Sequence, residues 1–517
     1  MNKIGTLNKI LCAIYAHAAT TPEKIALIGQ ATQLTYAQLA AHIDALANWI
    51  KDQGITRAGL WGENSIEWII ADLAAWQANI TLVPLPRFFS TSQLQHVVTE
   101  AHLPCLLVCG DITSVAAVSE RKNSPITAIY LDQLGSEKNL PATDNTVKIT
   151  FTSGTTGTPK GVCLSTTALE KVTLALAERI YATPGADTTI NAHVNLLPLS
   201  TLLENVAGVY VPLYLGKRVI ALPETALGLT GSSQLSLPAL LQALHQYQPN
   251  SLIVLPQILQ GLVAASTQGF TLPASLKFMA VGGARTPVTL LAQARAVGIP
   301  VYEGYGLSEC ASVVSLNSPI ADKPGSVGKP LGHVEIKIDD GLIKVRGNVF
   351  NGYLGQTASS SAEWLDTGDL GYIDDEGFIF ITGRQKNLLI SSFGRNISPE
   401  WIEAELSLCR TIGQVMVIGD AQPFCSAIVT PASAHITAEQ IAQDIRRINQ
   451  HLPDYARAQK FILAAEPFTT ANHLLTDNGR LRRAAILDQY SHAIAAIYSD
   501  PTAHSSDHHA GVVYDIF

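Results

Sequence analysis

A run of hydroxyl and glycine residues has the composition needed to bind a polyphosphate. The segment from Ile149 to Ser165 reads ITFTSGTTGTPKGVCLS. Its small residues let backbone N–H groups turn toward one point beside several hydroxyl donors, and Lys160 adds a compact positive charge. The residues predicted to form this phosphate loop are Thr152, Ser153, Gly154, Thr155, Thr156 and Gly157. The sequence therefore predicts that ATP binds here, with Lys160 as a catalytic cation.

Two other interpretations of the loop are weaker. Its spacing differs from the GxxxxGK[ST] of the Walker loop, which disfavours an ordinary P-loop NTPase. A flexible surface linker rich in glycine and threonine is the second alternative, but linkers rarely lie between an apolar strand pattern and a helix. We therefore expect a phosphate-binding turn that follows the end of a strand.

The loop resembles the phosphate-binding motif of the adenylate-forming superfamily, which includes acyl-CoA synthetases, luciferase-like enzymes and peptide-synthetase adenylation domains. Further segments similar to that family follow in its order: GGA at Gly282–Ala284, YEGYGLSE at Tyr302–Glu309, GSVGKP at Gly325–Pro330, DTGDLGYIDDEGFIFITGRQKN at Asp366–Asn387 and NGRLRR at Asn478–Arg483. The motifs span most of the chain and are most similar to those of long-chain fatty acyl-CoA synthetases. The resemblance implies ATP-dependent activation of a medium- or long-chain fatty acid to acyl-AMP, then transfer to CoA with release of AMP and pyrophosphate.

The same resemblance implies roles for residues around the nucleotide. An anionic carboxylate must meet an anionic α-phosphate, so Mg²⁺ and cationic side chains are needed where they meet. By resemblance, Glu309 is the magnesium ligand and a catalytic residue, and Ser308 donates to the α-phosphate. The other implied nucleotide contacts are Gly283, Tyr305 and Gly306 at the adenine, Asp369 at the ribose hydroxyls, and Arg384 at the ribose or phosphate.

A second group of implied residues serves the acid and the thiol. The resemblance implies a hinge at Lys386, about which a small domain rotates after pyrophosphate leaves. It also implies CoA contacts at Gly394 and Arg395. The residues predicted for the acyl pocket are Thr201, Glu204, Gly282 and Gly304.

Two positions depart from the family pattern. Thr201 lies where long-chain synthetases have a histidine, so the gate beside the acyl pocket lacks a flat ring. Arg480 follows Gly479 where the family has lysine, and a guanidinium is wider, planar and more weakly hydrated than an ammonium. We expect Arg480 to be the catalytic adenylation cation. The alternatives are a slow first half-reaction, use of a pre-formed adenylate, acyl transfer to a carrier protein, or nucleotide or acyl binding without turnover.

The alternation of elements predicts an α/β fold in two domains. The 517-residue chain is too long for one ordinary core, and short apolar runs alternate with segments of helical length. This pattern predicts parallel sheets flanked by helices. We expect a large N-terminal domain over residues 1–383, with a small β subdomain at about 325–383, and a smaller mobile α+β lid domain over 384–517. Residues from about 499 onward are expected to be disordered.

Individual elements are predicted as follows. The strands are expected at Val194–Leu197, Arg218–Leu222, Ser251–Leu255, Leu276–Val281 and Pro300–Gly304. The helices are expected at Leu202–Tyr214, Leu237–Tyr247, Gln257–Ala265 and Pro287–Val297. Two hairpins are expected, with turns at Asp339–Gly341 and Asp374–Gly377.

The amino-acid composition limits the classes of partner that the protein can bind. A net charge of -8 argues against nucleic acid, because neutralising a phosphate backbone needs clustered lysine and arginine. The seven cysteines have neither zinc nor disulfide spacing, which predicts buried thiols in the cytoplasm. Interrupted apolar stretches predict no membrane span and at most peripheral membrane contact. The expected partners are therefore ATP, a carboxylic acid and CoA, with an acyl carrier protein as the alternative acceptor.

Overall fold

A computed structural model describes most of the 517-residue chain. The described residues are 8–110, 120–121, 127–130, 145–153, 159–181, 189–230, 234–356, 363–476, 479–499 and 512–516.

The strands fall into two large sheets and several smaller ones. Up to Leu316 they are β1 (Ile25–Ile28), β2 (Gln33–Thr35), β3 (Arg57–Gly62), β4 (Thr81–Pro84), β5 (Cys105–Cys109), β6 (Glu120–Arg121), β7 (Thr127–Tyr130), β8 (Thr146–Ser153), β9 (Pro159–Ser165), β10 (Ala192–Val194), β11 (Arg218–Ile220), β12 (Leu229–Thr230), β13 (Gln234–Leu235), β14 (Ser251–Val254), β15 (Phe278–Val281), β16 (Val301–Leu307) and β17 (Ser312–Leu316). After it they are β18 (Lys329–Pro330), β19 (Glu335–Asp339), β20 (Leu342–Arg346), β21 (Gly352–Tyr353), β22 (Leu365–Ile373), β23 (Ile379–Arg384), β24 (Leu389–Ile390), β25 (Asn396–Ile397), β26 (Ile412–Ile418), β27 (Cys425–Pro431), β28 (Ala458–Leu463) and β29 (Val512–Asp515).

Helices cover the faces of these sheets. The α-helices are α1 (Lys9–Thr20), α2 (Tyr36–Asp52), α3 (Ile66–Gln77), α4 (Thr91–Glu100), α5 (Thr166–Tyr181), α6 (Leu202–Asn205), α7 (Val211–Tyr214), α8 (Leu237–Tyr247), α9 (Pro256–Thr267), α10 (Val288–Ala296), α11 (Pro399–Leu406), α12 (Ala438–Asn449), α13 (Arg483–Gln489) and α14 (Ser491–Ser499). A π-helix spans Val206–Tyr210, and short 3₁₀ helices span Glu224–Leu227, Ser308–Cys310, Gln385–Asn387 and Asp454–Ala456.

The two large sheets are parallel at their centres and antiparallel at their edges. One has the order β18-β17-β16-β15-β14-β10-β11-β1-β2, and the other has the order β21-β9-β8-β4-β3-β5-β7-β6. In the first, β11, β10, β14, β15 and β16 run parallel, whereas β17 and β18 continue antiparallel. Their central strands are apolar on both faces, as in β14 and β5, because helices bury each face. The predicted parallel sheets are therefore confirmed at the centres only.

Smaller sheets follow the two large ones. Both predicted hairpins are present: β19 pairs antiparallel with β20, and β22 with β23, in one four-stranded sheet. The C-terminal sheet has the order β26-β27-β28-β29 and separates two cores. Along β26, Val415 and Val417 pack into one core and Met416 and Ile418 into the other, which is the two-residue alternation of a strand buried on both faces.

Four sequence expectations differ from the structure. The strand expected at Val194–Leu197 lies at Ala192–Val194, so the two share only Val194. The segment predicted as one helix over Leu202–Tyr214 contains the π-helix between α6 and α7. The strand predicted to end at Gly304 continues to Leu307, because β17 pairs with its second half. Of the tail expected to be disordered, residues 500–511 lie outside the described residues, whereas Val512–Asp515 form β29, which pairs with β28 and buries Val513. Within the described residues, no helix is both long and apolar enough to cross a bilayer.

A buried polar cluster ties β8 to α3 and to the π-helix. Lys148 Nζ donates to Asp72 Oδ1 at 2.6 Å, to Tyr210 Oη at 2.6 Å and to Asn205 Oδ1. Tyr210 Oη and Asn205 Nδ2 donate in turn to Asp72 Oδ2, at 2.6 and 2.9 Å. Burial lowers the pKa of Lys148, and the contact with Asp72 opposes that shift. Each charge in the cluster therefore depends on the other for compensation.

Breaking this pair on one side should strongly destabilise the N-terminal domain. Lys148→Met leaves the Asp72 carboxylate buried without a cation, which should cost about 3–5 kcal/mol of unfolding free energy. Adding Asp72→Asn removes the stranded charge and should restore most of that loss. Urea unfolding followed by tryptophan fluorescence measures both variants, with the exposed Lys51→Met as control. Equal stability of the single and double variants would contradict this view of the cluster.

Candidate active site

The predicted phosphate loop joins two antiparallel strands. At the end of β8 and the start of β9, Thr152 pairs with Lys160 and Ser153 with Pro159. This corrects the expectation that the loop leads from a strand into a helix. Gly154, Thr155, Thr156 and Gly157 lie outside the described residues, so the structure places the two ends of the loop, with Lys160 exposed beside it.

A tight bend after β16 presents Glu309. Ser308 and Glu309 form a 3₁₀ turn that ends at Ala311, whose φ is 58°, and Ser312 follows with a φ of 111°. Both values lie in the left-handed region, which is unusual for residues other than glycine. A Cβ at Gly306 would lie 1.8 Å from the Ser312 carbonyl oxygen, so only glycine fits there. Strain of this kind is typical of functional sites, where the surrounding fold holds the backbone in place.

Tyr353 contacts both Lys160 and Glu309. Its hydroxyl donates to Glu309 Oε1 at 2.8 Å, and Lys160 Nζ lies 5.5 Å from the centre of its ring. The sequence analysis missed Tyr353, because no local spacing relates it to Glu309, 44 positions away.

Asp369 lies at the centre of the predicted ribose site. Its side chain is buried, and it accepts hydrogen bonds from Tyr305 Oη at 2.6 Å and from Arg384 Nε at 2.8 Å. Asp369 and Arg384 are opposite each other on β22 and β23, which explains their contact. Burial raises the pKa of Tyr305 and the Asp369 carboxylate raises it further, so the phenol remains a donor. Each carboxylate oxygen keeps a free lone-pair direction for a ribose hydroxyl.

Two further cations, Arg480 and Lys386, lie close enough to this carboxylate for its charge to raise their pKa. Removal from water lowers the pKa of Arg480, Arg384 lowers it further, and Asp369 opposes the shift. Burial likewise lowers the pKa of Lys386, and both Arg384 and Arg480 add to that effect. Arg480 is surrounded by protein on several sides but still accessible to solvent, as expected for a side chain that lines a cleft. Three positively charged site residues thus lie near Asp369, and Glu400 is a second acid near Lys386, which still leaves an excess of positive charge to receive an anion.

A tight turn fixes the backbone of Arg480. Its N–H donates to Thr476 Oγ1 at 2.9 Å, and the N–H of Thr476 donates to the Arg480 carbonyl at 2.7 Å. Gly479 has a φ of 77°, which only glycine adopts readily. Behind the turn, Arg483 pairs with the buried Glu403 at 2.5 Å.

The predicted acyl wall divides into two parts. Gly282 directly follows β15 and Gly304 lies on the adjoining β16, and a Cβ at Gly282 would lie 3.1 Å from the Gly304 carbonyl oxygen. Gly283, next to them, has a φ of 80°. Thr201 begins the other part of the predicted wall, immediately before α6, and its hydroxyl donates to the Pro198 carbonyl at 2.6 Å.

The expectation that Glu204 lines the acyl pocket is corrected by its burial. It is 0% exposed and accepts from Asn195 Nδ2 at 2.9 Å and from the N–H of Leu197 at 3.3 Å, while His193 Nε2 lies 3.1 Å from the same carboxylate. A Cβ at Gly208 in the π-helix would lie 2.4 Å from Glu204 Oε1. Glu204 therefore supports the wall from beneath.

The predicted CoA residues lie elsewhere on the C-terminal domain. Gly394 and Arg395 occupy the exposed turn between β24 and β25, where the N–H groups of both bond to Ser391. Among the described residues, no hydrogen bond or ion pair joins them to Asp369 or Arg384.

One carboxylate suits a magnesium ion that arrives with a nucleotide. In the described part of the chain, no three histidine, cysteine, aspartate or glutamate residues cluster as a complete metal site. Mg²⁺ usually keeps several waters and binds one or two carboxylates together with substrate phosphates. Glu309 fits this role, because Tyr353 bonds only its Oε1 atom.

Comparisons with known proteins agree with this geometry. A family model described as AMP-binding enzyme matches residues 14–354, and one described as AMP-binding enzyme C-terminal domain matches residues 386–502. The chain is 24% identical to a long-chain-fatty-acid–CoA ligase, FadD15, of Mycobacterium bovis, covering 96% of this chain and 98% of that protein. It is 26% identical to a 2-succinylbenzoate–CoA ligase of Bacillus pumilus, covering 91% and 97%. The solved o-succinylbenzoate CoA synthetase of Bacillus subtilis with ATP and magnesium has a similar fold, with a TM-score of 0.71 at 23% identity over 91% of this chain and 98% of that one.

Glu303, two residues before Tyr305 on β16, is a buried acid that the sequence analysis did not identify. Burial raises its pKa to about 8, and Arg285 only partly offsets this. Among the described residues, its Oε2 atom has no hydrogen-bond partner. The carboxyl is therefore protonated in the folded protein at neutral pH.

This acid should make stability fall as pH rises from about 4.5 to about 8. Below this pH window the carboxyl is protonated in both the folded and the unfolded chain. Within the window only the folded protein keeps the proton, so the free energy of unfolding falls by up to about 1.4 kcal/mol per pH unit. Glu303→Gln should remove this dependence, so the variant gains in melting temperature over the wild type as pH rises. Exposed Glu23→Gln is the control. A constant difference across the window would show that Glu303 does not titrate there.

Proposed function

Because the chain belongs to the AMP-binding enzyme family and is an adenylate-forming acid–CoA ligase, we propose that its acid is a medium- or long-chain fatty acid. The single observation that carries the site assignment is the ion pair between Arg384 and Asp369, with Lys386 and Arg480 close enough for the charge of the same carboxylate to raise their pKa. No other arrangement we describe offers so much positive charge to an α-phosphate and a carboxylate together.

The proposed first step joins the acid to AMP. An acid carboxylate oxygen attacks the α-phosphorus, the bond to the β-phosphate oxygen breaks, and pyrophosphate leaves. Arg480 contacts both anions and lowers their repulsion, while Asp369 and Tyr305 hold the ribose and adenine. Lys160 and the phosphate loop bind the departing pyrophosphate. Glu309 is the proposed ligand of Mg²⁺, which supplies further charge neutralisation when bound.

The proposed second step transfers the acyl group to CoA. The thiolate sulfur attacks the acyl carbon and AMP leaves with the electron pair of the broken bond. Among the described residues, no hydrogen bond or ion pair joins Gly394 or Arg395 to the predicted ribose site, so we propose that the C-terminal domain rotates to bring them to the acyl-adenylate. Lys386 directly follows the last residues of β23, at the point where the chain leaves the N-terminal sheets, which supports its proposed role as the hinge.

The composition of the acyl wall supports a substrate whose acyl chain is apolar and carries no second charge. The wall predicted from Thr201 to Val209 reads TLLENVAGV and contains no lysine, arginine or histidine. A substrate such as 2-succinylbenzoate has a second carboxylate, which needs a cation when it leaves water. The segment carries no cation of its own, and Lys148, which donates to Asn205 within it, is buried and paired with Asp72. The segment's partly buried residues Leu203 and Ala207 suit a hydrocarbon chain. This favours a fatty acid over the dicarboxylate named in several relatives.

A panel of acids tests both the reaction and its acceptor. We expect pyrophosphate release with medium- and long-chain fatty acids, acyl-CoA formation only when CoA is present, and little activity with 2-succinylbenzoate. A persistent acyl-adenylate without a CoA product would favour transfer to a carrier protein. Preference for 2-succinylbenzoate would overturn the substrate assignment, and no exchange of pyrophosphate into ATP with any acid would overturn the adenylation step.

Arg480 should be required for adenylation because it brings positive charge to both anions. Arg480→Ala should lower acid-dependent ATP–pyrophosphate exchange by about 100-fold or more. Arg480→Lys should keep exchange within about tenfold of the wild-type rate at neutral pH. As the pH is raised into the alkaline range, the variant should lose exchange at a lower pH than the wild type does, because lysine has a lower pKa than arginine. The exposed Lys277→Ala is a charge-removal control outside the cleft. If both Arg480 variants match the wild type, Arg480 is not the adenylation cation.

A further inference from the structure

Tyr353 lies where the two large sheets meet. It belongs to β21, which pairs with β9 through Gly352–Cys163 and Tyr353–Val162, directly after Lys160. Three residues before Tyr353, the N–H of Phe350 donates to the Glu309 carbonyl at 2.7 Å. One short segment is thus bonded both to the strand that carries Lys160 and to the turn that carries Glu309.

The phenol of Tyr353 orients the Glu309 carboxylate. It donates to Oε1 at 2.8 Å, which sets the rotation of the carboxylate. Burial raises the pKa of Tyr353, and the charge of Glu309 raises it further, so the group stays a donor across the working pH range. No hydrogen bond from the described residues reaches the second oxygen, Oε2, which is therefore open to another partner.

The ring of Tyr353 separates the two opposite charges. Lys160 Nζ lies 5.5 Å from the ring centre, within the range of a cation–π contact. Phe350 supports the ring from the side, at a centroid distance of 4.9 Å and an angle of 77°. Among the described residues, Lys160 forms no salt bridge with Glu309. If the two met directly, each would neutralise the other, and neither would be available to a metal or a phosphate.

We propose that Tyr353 is a positioning residue for magnesium nucleotide, in which the hydroxyl presents Glu309 Oε2 to the metal and the ring holds Lys160 toward the phosphates. The inference rests on the proposed function, because it assumes that Glu309 and Lys160 serve the same nucleotide. It assigns the two parts of one side chain to two different charges, so the two parts can be tested separately.

Two variants separate the hydroxyl from the ring. Tyr353→Phe keeps the ring and removes the donor to Glu309, whereas Tyr353→Leu removes both. The control is Tyr372→Phe, on a tyrosine that is 50% exposed and stacks on Phe380 in the β subdomain. Calorimetry measures ATP binding with excess EDTA and with increasing Mg²⁺, and thermal melting checks that each variant is folded.

Tyr353→Phe should raise the Mg²⁺ concentration needed for half-maximal enhancement of ATP binding by about tenfold or more, the usual effect of removing a partner of a metal ligand. Its ATP affinity in EDTA should match that of the wild type. Tyr353→Leu should also weaken binding in EDTA, because Lys160 loses its support. Mn²⁺ in place of Mg²⁺ gives the same readout by paramagnetic resonance, without any turnover.

Two results would overturn the inference. An unchanged Mg²⁺ dependence in Tyr353→Phe would show that the hydroxyl does not position the metal ligand. An equal loss of ATP affinity by Tyr353→Phe with and without Mg²⁺ would show that the hydroxyl has a general structural role. If the wild-type protein binds ATP and the variants give either result, only this inference is disproved. If the wild-type protein neither binds ATP nor exchanges pyrophosphate, the proposed function itself is disproved.

Discussion

The repulsion between two anions is the constraint on which the site depends. A carboxylate and an α-phosphate approach to bonding distance only where fixed positive charge offsets their own. The chain meets this need with Arg384 at the end of β23, Lys386 in the turn that follows, and Arg480 in a separate turn of the C-terminal domain. Asp369 holds this group of cations together. The surrounding sheets serve to bring these distant segments of the chain to one place.

Much of the arrangement could be predicted from the sequence. The alternation of apolar runs predicts the parallel centres of the sheets, and the order of motifs predicts which segments meet at the nucleotide. Asp369 and Arg384 were predicted for the same ribose, and their pairing across β22 and β23 places them together. The hairpins were predictable because turn residues such as Asp374 and Gly377 leave a local signal between alternating strands.

Features that depend on distant partners could not be predicted in this way. The π-helix has an apolar pattern that fits an ordinary helix, and the reason for Gly208 appears only when Glu204 and His193 lie beside it. Glu204 looks like a polar residue of a pocket wall until its three partners are known. Tyr353 gives no sequence signal for the same reason. Long-range contacts of this kind follow from the packing of two sheets, which residue spacing does not encode.

The crowding of cations gives a physical reason for arginine at position 480. In the same cluster, burial and the neighbouring Arg384 and Arg480 lower the pKa of Lys386. A lysine in place of Arg480 would experience the same neighbours, with a pKa that starts about two units or more below that of arginine. Arginine therefore stays charged in this cluster, whereas the pKa of a lysine would lie closer to the working pH. Its planar fork also offers donors to two anions at once, whereas an ammonium acts as a single point charge. The turn set by Thr476 and Gly479 fixes only the backbone, so the shape of the side chain decides where that charge is delivered.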